Sequence, residues 1–240
     1  MLALPSTPPE ATGETFNLAF PPSRCPACSA SIKWYQNIPL VSWLALRGKC
    51  ASCGVAISKR YPAVELICGL LAWLCAVQFG VSIWMVAALG LSLTLVALTL
   101  IDFDTFLLPD NITLPLTWAG VLLALLAVSP VSLEEAVIGA MVGYLSLWSL
   151  YWLFKLLTGR EGMGYGDFKL TAALGAWLGW QALPMVLLIS ALVGLVVGVP
   201  LTKFAKGKTE HGIPFGPYLA IAGIICLLFG NSIAPYLLAI

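Results

Sequence analysis

The sequence reads as an all-α polytopic membrane protein with six to seven transmembrane helices and a small cytosolic tetracysteine zinc-binding domain. Three observations predict this class. The chain is 60% hydrophobic and only 10% charged, with a mean hydropathy of +0.96, proportions that argue against a soluble domain of this length. It carries several apolar stretches that meet or approach the ~20 residues needed to cross a hydrocarbon core about 30 Å thick. Its first 64 residues differ, being more polar, rich in Pro and Ser, and furnished with two Cys-x-x-Cys pairs. The expected organisation is a cytosolic region over residues 1–64 and a membrane region over residues 65–240.

The membrane elements follow in order. Leu66 to Leu100 is long enough for two passes, with Gly80 and Ser82 as the division. Ile112 to Val128 is a third segment, ended by Ser129 and Pro130, and Ala136 to Leu157 is a fourth. Leu170 to Thr202 is divided by Gly179 to Pro184 into a short helix and a longer one, and Phe215 to Ile240 is interrupted at Gly230-Asn231-Ser232. Gly139 and Gly143 form a GxxxG pair, and Gly175 and Gly194 are further small residues; such positions suit close approach of another helix but more often serve internal packing.

This topology places all 12 Lys and Arg residues on one side of the bilayer: Arg24, Lys33, Arg47, Lys49, Lys59, Arg60, Lys155, Arg160, Lys169, Lys203, Lys206 and Lys208. The opposite turns contain none. The positive-inside rule makes that side the cytoplasm. The net charge of +1 carries no such information.

Within residues 1–64, Cys25-Pro26-Ala27-Cys28 and Cys50-Ala51-Ser52-Cys53 are separated by a ribbon-like length of chain. Cys25, Cys28, Cys50 and Cys53 can together supply four thiolates to a tetrahedral zinc. Disulfides or redox dithiols are the alternative, disfavoured where the cytosol keeps thiols reduced. Four thiolates fill the coordination sphere, so the metal is expected to be structural. Cys68, Cys75 and Cys226 lie in apolar segments and read as small buried hydrophobes.

The chemistry is narrowed by inventory. His211 is the only histidine and sits in a polar loop, and neither an HExxH helix nor a GxSxG elbow is present. The carboxylates remain. Asp102, Asp104 and Asp110 stand in Ile101-Asp102-Phe103-Asp104-Thr105-Phe106-Leu107-Leu108-Pro109-Asp110, and Asp167 ends Gly162-Met163-Gly164-Tyr165-Gly166-Asp167. Acidic groups beside membrane-length apolar sequence are costly and point to function. Two carboxylates held close cannot both ionise easily; sharing one proton, the pair can activate water and polarise an amide carbonyl.

If Asp102 continues the preceding helix, Asp102 and Asp104 point to different faces, so one of them must pair with Asp167. The glycines before Asp167 suit a carboxylate set into a tight loop. Asp110 follows Pro109 at a helix start and reads equally well as an N-cap. The plain reading of all four aspartates is pairing with Lys169, Lys155 or Arg160, or marking helix ends. Two motifs brought to one side by topology favour function.

Taken with Asn37-Ile38-Pro39-Leu40-Val41-Ser42-Trp43, Ser58-Lys59-Arg60-Tyr61-Pro62-Ala63-Val64-Glu65 and Ile213-Pro214-Phe215-Gly216-Pro217-Tyr218-Leu219, these motifs resemble the type IV prepilin peptidases, also called prepilin leader peptidases or N-methyltransferases. The resemblance runs from about Phe16 to the C-terminus. It implies an intramembrane aspartyl protease of the bacterial inner membrane that cuts the basic leader from type IV prepilins and type II secretion pseudopilins. It also implies methylation of the new N-terminus with S-adenosylmethionine.

The family's catalytic pair corresponds to Asp102 and Asp167, and its cysteine tetrad to Cys25, Cys28, Cys50 and Cys53. The partners implied are these substrates and membrane lipid, with no nucleic acid. No cofactor fingerprint marks the methyl-donor site; Glu65 is a candidate, equally explained by interaction with a helix N-terminus. The resemblance also implies a membrane helix ahead of the cysteines, whereas Met1 to Phe20 lacks an apolar run long enough to span. Two other classes remain compatible with the residues: a transporter or proton relay built on intramembrane aspartates, and a membrane-anchored zinc interaction module.

Overall fold

The computed structural model describes residues 24–159, 163–198 and 214–237. Arg160, Gly162, Lys203, Lys206, Lys208, His211 and the stretch Met1 to Phe20 lie outside them. The chain divides into two compact units, Met1–Ile67 and Cys68–Ile240.

The first unit contains two cysteine knuckles, a short 3₁₀ turn at Trp34–Asn37 and a one-turn helix α1 (Val41–Ala45). Among its described residues the β pairing consists of isolated bridges, Arg24 with Ser31 and Lys49 with Ala56. The start of α1 is held from a distance, because the Glu65 carboxylate accepts a 2.8 Å hydrogen bond from the Leu40 N–H. Leu40 has φ 58, rare for a non-glycine residue. Glu65 is the sixth residue of α2 (Arg60–Phe79), beyond the first turn, so it does not act on the positive end of its own helix as expected. It secures a strained turn instead.

Among its described residues the second unit is helical: the body of α2, then α3 (Ile83–Thr105), α4 (Asp110–Leu125), α5 (Leu133–Thr158), α6 (Tyr165–Leu178), α7 (Leu183–Val193), continued by a π-helical turn to Gly198, and α8 (Gly216–Leu237). The expected break at Gly80 and Ser82 is present. Gly80 has φ 62, and the Ser82 hydroxyl caps α3 by accepting from the Met85 N–H. Ser132 and Glu135 form a capping box at the start of α5. The interruption expected at Gly230-Asn231-Ser232 does not occur: α8 runs through it, its backbone bonded within the helix despite poor local helix formers.

Among the described residues four helical segments are long and apolar enough to cross a membrane: Arg60–Phe79, Ile83–Thr105, Leu133–Thr158 and Trp180–Gly198. Asp110–Leu125 and Gly216–Gly230 are shorter apolar helices. Many large apolar side chains point outward, among them Trp73, Val77, Val86, Trp118, Leu122, Leu153 and Leu156. So much exposed apolar surface is what a lipid environment solvates and water does not.

The core sits around α6. Every residue from Asp167 to Trp177 is buried except Lys169. With 14 residues α6 is only about 21 Å long, yet α4, α5, α7 and α8 all pack on it. Its contact with α5 is the most extensive. Gly139 and Gly175 face one another so closely that a Cβ on either would strike the other's carbonyl, and a Cβ on Gly143 would lie 2.5 Å from the Thr171 carbonyl oxygen. The GxxxG pair therefore serves packing within the chain. Against α4, Trp177 fills the space beside Gly120, and its Nε1 donates to the Leu116 carbonyl at 2.8 Å.

Candidate functional site

Asp102 and Asp167 reach one place from opposite helix ends. Asp102 lies in the last turn of α3, which stops where Phe106 turns left-handed (φ 57) and returns its N–H to the Asp102 carbonyl at 2.9 Å. Asp167 lies in the first turn of α6, behind Gly164 as N-cap. The tight loop expected around Asp167 is helical instead. Gly164 has an ordinary φ of −82; the need for glycine falls on Gly166, where a Cβ would sit 2.7 Å from the Leu108 Cβ.

Both carboxylates are buried, at 4% and 7% exposure. Asp102 Oδ2 has no hydrogen-bond partner among the described residues. It faces Gly216 at the start of α8, where a Cβ would lie 2.5 Å from it. Leu108, from the α3–α4 connection, packs against both Gly166 and Gly216.

The meeting is fixed by register. Two helical turns deeper, a Cβ on Gly223 of α8 would lie 2.5 Å from Leu174 of α6 and 3.4 Å from Leu95 of α3. Leu95, Leu174 and Gly223 each stand seven residues from Asp102, Asp167 and Gly216, and a seven-residue step returns to nearly the same helix face. Packing of the deeper triplet therefore aims the outer one together. On the other side of α6, Phe168 is held edge-on by Tyr144 and Tyr151 at centroid distances of 5.9 and 5.6 Å, which fixes the rotation of the helix.

The other aspartates part from this pair. Asp104 is exposed while Asp102 is buried, as two residues on a helix require. Asp110 is the first residue of α4 and Pro109 its N-cap, so the N-cap reading is corrected by one position. Its carboxylate is gripped by Lys169 Nζ at 2.6 and 2.7 Å.

In the first unit, the two knuckles are built alike. Cys25 N–H donates to Ala30 and Cys50 N–H to Val55; the fourth residue after each cysteine, Ser29 or Gly54, donates back to that cysteine's carbonyl and has positive φ. The Sγ atoms of Cys25, Cys28, Cys50 and Cys53 all lie within 4.8 Å of one another, with Cys25 and Cys53 at 3.9 Å. Tetrahedral zinc with Zn–S near 2.3 Å would set its sulfurs about 3.8 Å apart, so this cluster could hold a metal ion.

The N–H groups of Cys53 and Ser52 pull the Cys50 thiol down to about 6. The Val55 N–H acts to lower Cys53 too, but hydrogen bonding with Cys28, burial and its other cysteine neighbours outweigh it, leaving Cys53 at about 11. Cys75 and Cys226 are buried and Cys68 half-buried, in keeping with small hydrophobes.

Apolar helices and a buried carboxylate pair define the class, a multi-pass membrane protein with an acidic site. The chain belongs to the type IV leader peptidase family, whose description fits residues 89–199; the bacterial peptidase A24 N-terminal domain fits residues 4–79. It is 55% identical over 231 residues to the prepilin leader peptidase/N-methyltransferase of Stutzerimonas stutzeri, covering 96% of this chain and 80% of that protein. The proteins of the same name from Aeromonas hydrophila and Pseudomonas aeruginosa are 58% and 53% identical, covering 93% and 94% of this chain and 77% of each relative. No solved structure matches the chain.

Sequence reading passed over the contacts made by Gly216 and Leu108. The available signal was a glycine between Phe215 and Pro217 at the head of an apolar run, which marks close backbone approach. Leu108 carries no signal of its own. Tyr218 is also buried, resting on Gly194 with its hydroxyl unpartnered among the described residues.

Proposed function

We propose that this protein is an aspartyl endopeptidase that removes the basic leader from type IV prepilins and type II secretion pseudopilins, with Asp102 and Asp167 as its catalytic pair. One carboxylate takes a proton from water as it attacks the scissile carbonyl, and the other, protonated, donates to the carbonyl oxygen. The observation that carries this reading is that two buried carboxylates supplied by motifs far apart in sequence are brought to one place around Leu108, which packs on Gly166 beside Asp167 and on Gly216 against Asp102. A transporter would be expected to spread its acidic groups through the membrane; here both lie at helix ends, α3's last turn and α6's first.

The site faces the cytoplasm of the bacterial inner membrane, on the side that carries the basic residues. The shorter apolar stretches Asp110–Leu125 and Gly216–Gly230 lie within the bilayer beside the four longer segments, making six membrane helices, or seven with α6. A prepilin presents a basic leader followed by an apolar helix, so its scissile bond arrives at the same boundary. Acidic residues there attract the leader, an effect that salt weakens.

Residues 1–64 form a zinc domain whose four thiolates hold Zn²⁺ structurally, leaving no open position for water. The chain also methylates the new N-terminus with S-adenosylmethionine, as the relatives' names suggest. Among the described residues there is no strand–turn–helix nucleotide cradle, and the methyl donor enters through the relatives alone.

The test is cleavage of a prepilin-like substrate in liposomes by wild type, Asp102→Asn and Asp167→Asn, each checked for folding. Loss of cleavage in both folded variants is expected; retained cleavage in either removes that residue from the mechanism.

A further inference from the structure

We infer that Leu108 on the α3–α4 connection and Asp110 at the head of α4 grip Gly166 and Lys169 on α6 as a clasp that sets the spacing of Asp102 and Asp167. The inference rests on reading those two aspartates as the catalytic pair. The connection begins three residues beyond Asp102's turn neighbour Phe103, and Leu108 enters between two glycines. A Cβ on Gly166 would lie 2.7 Å from Leu108 Cβ, and one on Gly216 would lie 3.1 Å from Leu108 Cδ1. Two residues further on, both oxygens of Asp110 receive Lys169 Nζ. The chain leaving Asp102 is thus tied at two points to the first turns of the helix carrying Asp167.

The ion pair is not chiefly a source of stability. Lys169 is 25% exposed and Asp110 54% exposed, and pairs so accessible to solvent contribute little. Its value is directional. Lys169 stands two residues after Asp167, about 200° around α6, so drawing Lys169 towards α4 turns Asp167 away from α4's side of the helix. Lys169 is also the one residue between Asp167 and Trp177 that is not buried, so the polar grip acts at the site end of an otherwise apolar helix. Lys169 and Asp110 are therefore positioning residues.

The test compares wild type, Lys169→Ala, Asp110→Ala, Lys169→Arg, the charge-swapped Asp110→Lys/Lys169→Asp and Asp102→Asn in liposomes. Cleavage of a prepilin-like peptide is resolved into kcat and KM, and amide exchange is followed over residues 106–110. Each alanine variant is expected to lose roughly 10- to 100-fold in kcat with little change in KM, as misplaced reacting groups do. Exchange over the connection is expected to quicken, and both Lys169→Arg and the swap to recover most of the rate.

Wild-type kcat in Lys169→Ala, or unchanged exchange over 106–110, overturns the clasp. A swap that folds but restores nothing also overturns it and makes Lys169 a substrate contact. If Asp102→Asn is inactive while both alanine variants are fully active, the clasp alone fails. If Asp102→Asn cleaves like wild type, or wild type does not cleave, the catalytic reading fails and takes the clasp with it.

Discussion

Among the residues of the first unit whose burial is described, only Cys25 and Gly48 are buried, whereas in the second unit α6 alone buries ten residues from Asp167 to Trp177. The described residues of the first unit form almost no core, and its knuckles converge on four sulfurs. The second has a continuous core around a central helix, with glycines bringing backbones into contact. A small unit without a core needs a staple; a helical membrane unit, which gains little from hydrophobic association in lipid, depends on close packing. The two regions should therefore fail under different insults.

Metal removal is the largest expected separation. A strong chelator, or replacement of Cys25 and Cys53 by Ser, should unfold residues 24–59 completely, read as new protease cleavage there, while thermal unfolding of the helical unit in detergent stays unchanged. A shift in that helical transition would break the comparison. Metal affinity should also fall as pH is lowered towards 6, because protons compete for the thiolates and Cys50 itself reprotonates near that value; titration against a zinc indicator reads this.

Next comes the carboxylate pair. Asp102→Asn should lower kcat by roughly 10³-fold with the melting transition intact, whereas Asp104→Asn, two positions away and exposed, should cost less than about 10-fold. Comparable losses in the two would remove the distinction that helix geometry draws between them.

Within the helical unit, Gly175→Ala should destabilise by about 3 kcal/mol, because its Cβ meets the backbone of Gly139. Gly223→Ala should cost about 1 kcal/mol, because the end of the Leu174 side chain can shift. Equilibrium unfolding in mixed micelles measures both, and the reverse order would deny that backbone contact governs this core. The smallest effect is expected of Trp177→Phe, which removes one hydrogen bond to the Leu116 carbonyl and should cost about 1 kcal/mol or less by the same measurement.

The helical class, the tetracysteine cluster, the division at Gly80 and Ser82 and the separation of Asp102 from Asp104 were legible in the sequence. Each depends on local periodicity or on motif spacing of a few residues, where the geometry of a turn or helix is nearly fixed. The continuity of α8 through Gly230-Asn231-Ser232 was not, because local propensity is weaker than the backbone bonding of a helix already formed. Nor was the partner of Glu65, since a hydrogen bond to Leu40 spans 25 residues and leaves no periodic trace.

The sequence by itself determined that Asp102 and Asp167 would lie in costly apolar surroundings and that Cys25, Cys28, Cys50 and Cys53 would form two matched knuckles. Tertiary structure decided which groups stand against the carboxylates: Gly216 on Asp102, Leu108 between two glycines, and Lys169 turned to Asp110. The reason is that these contacts arise from the rotation and depth of α3, α6 and α8 relative to one another. Those quantities are set by the packing of Leu95, Leu174 and Gly223 two turns away, not by the residues of the site.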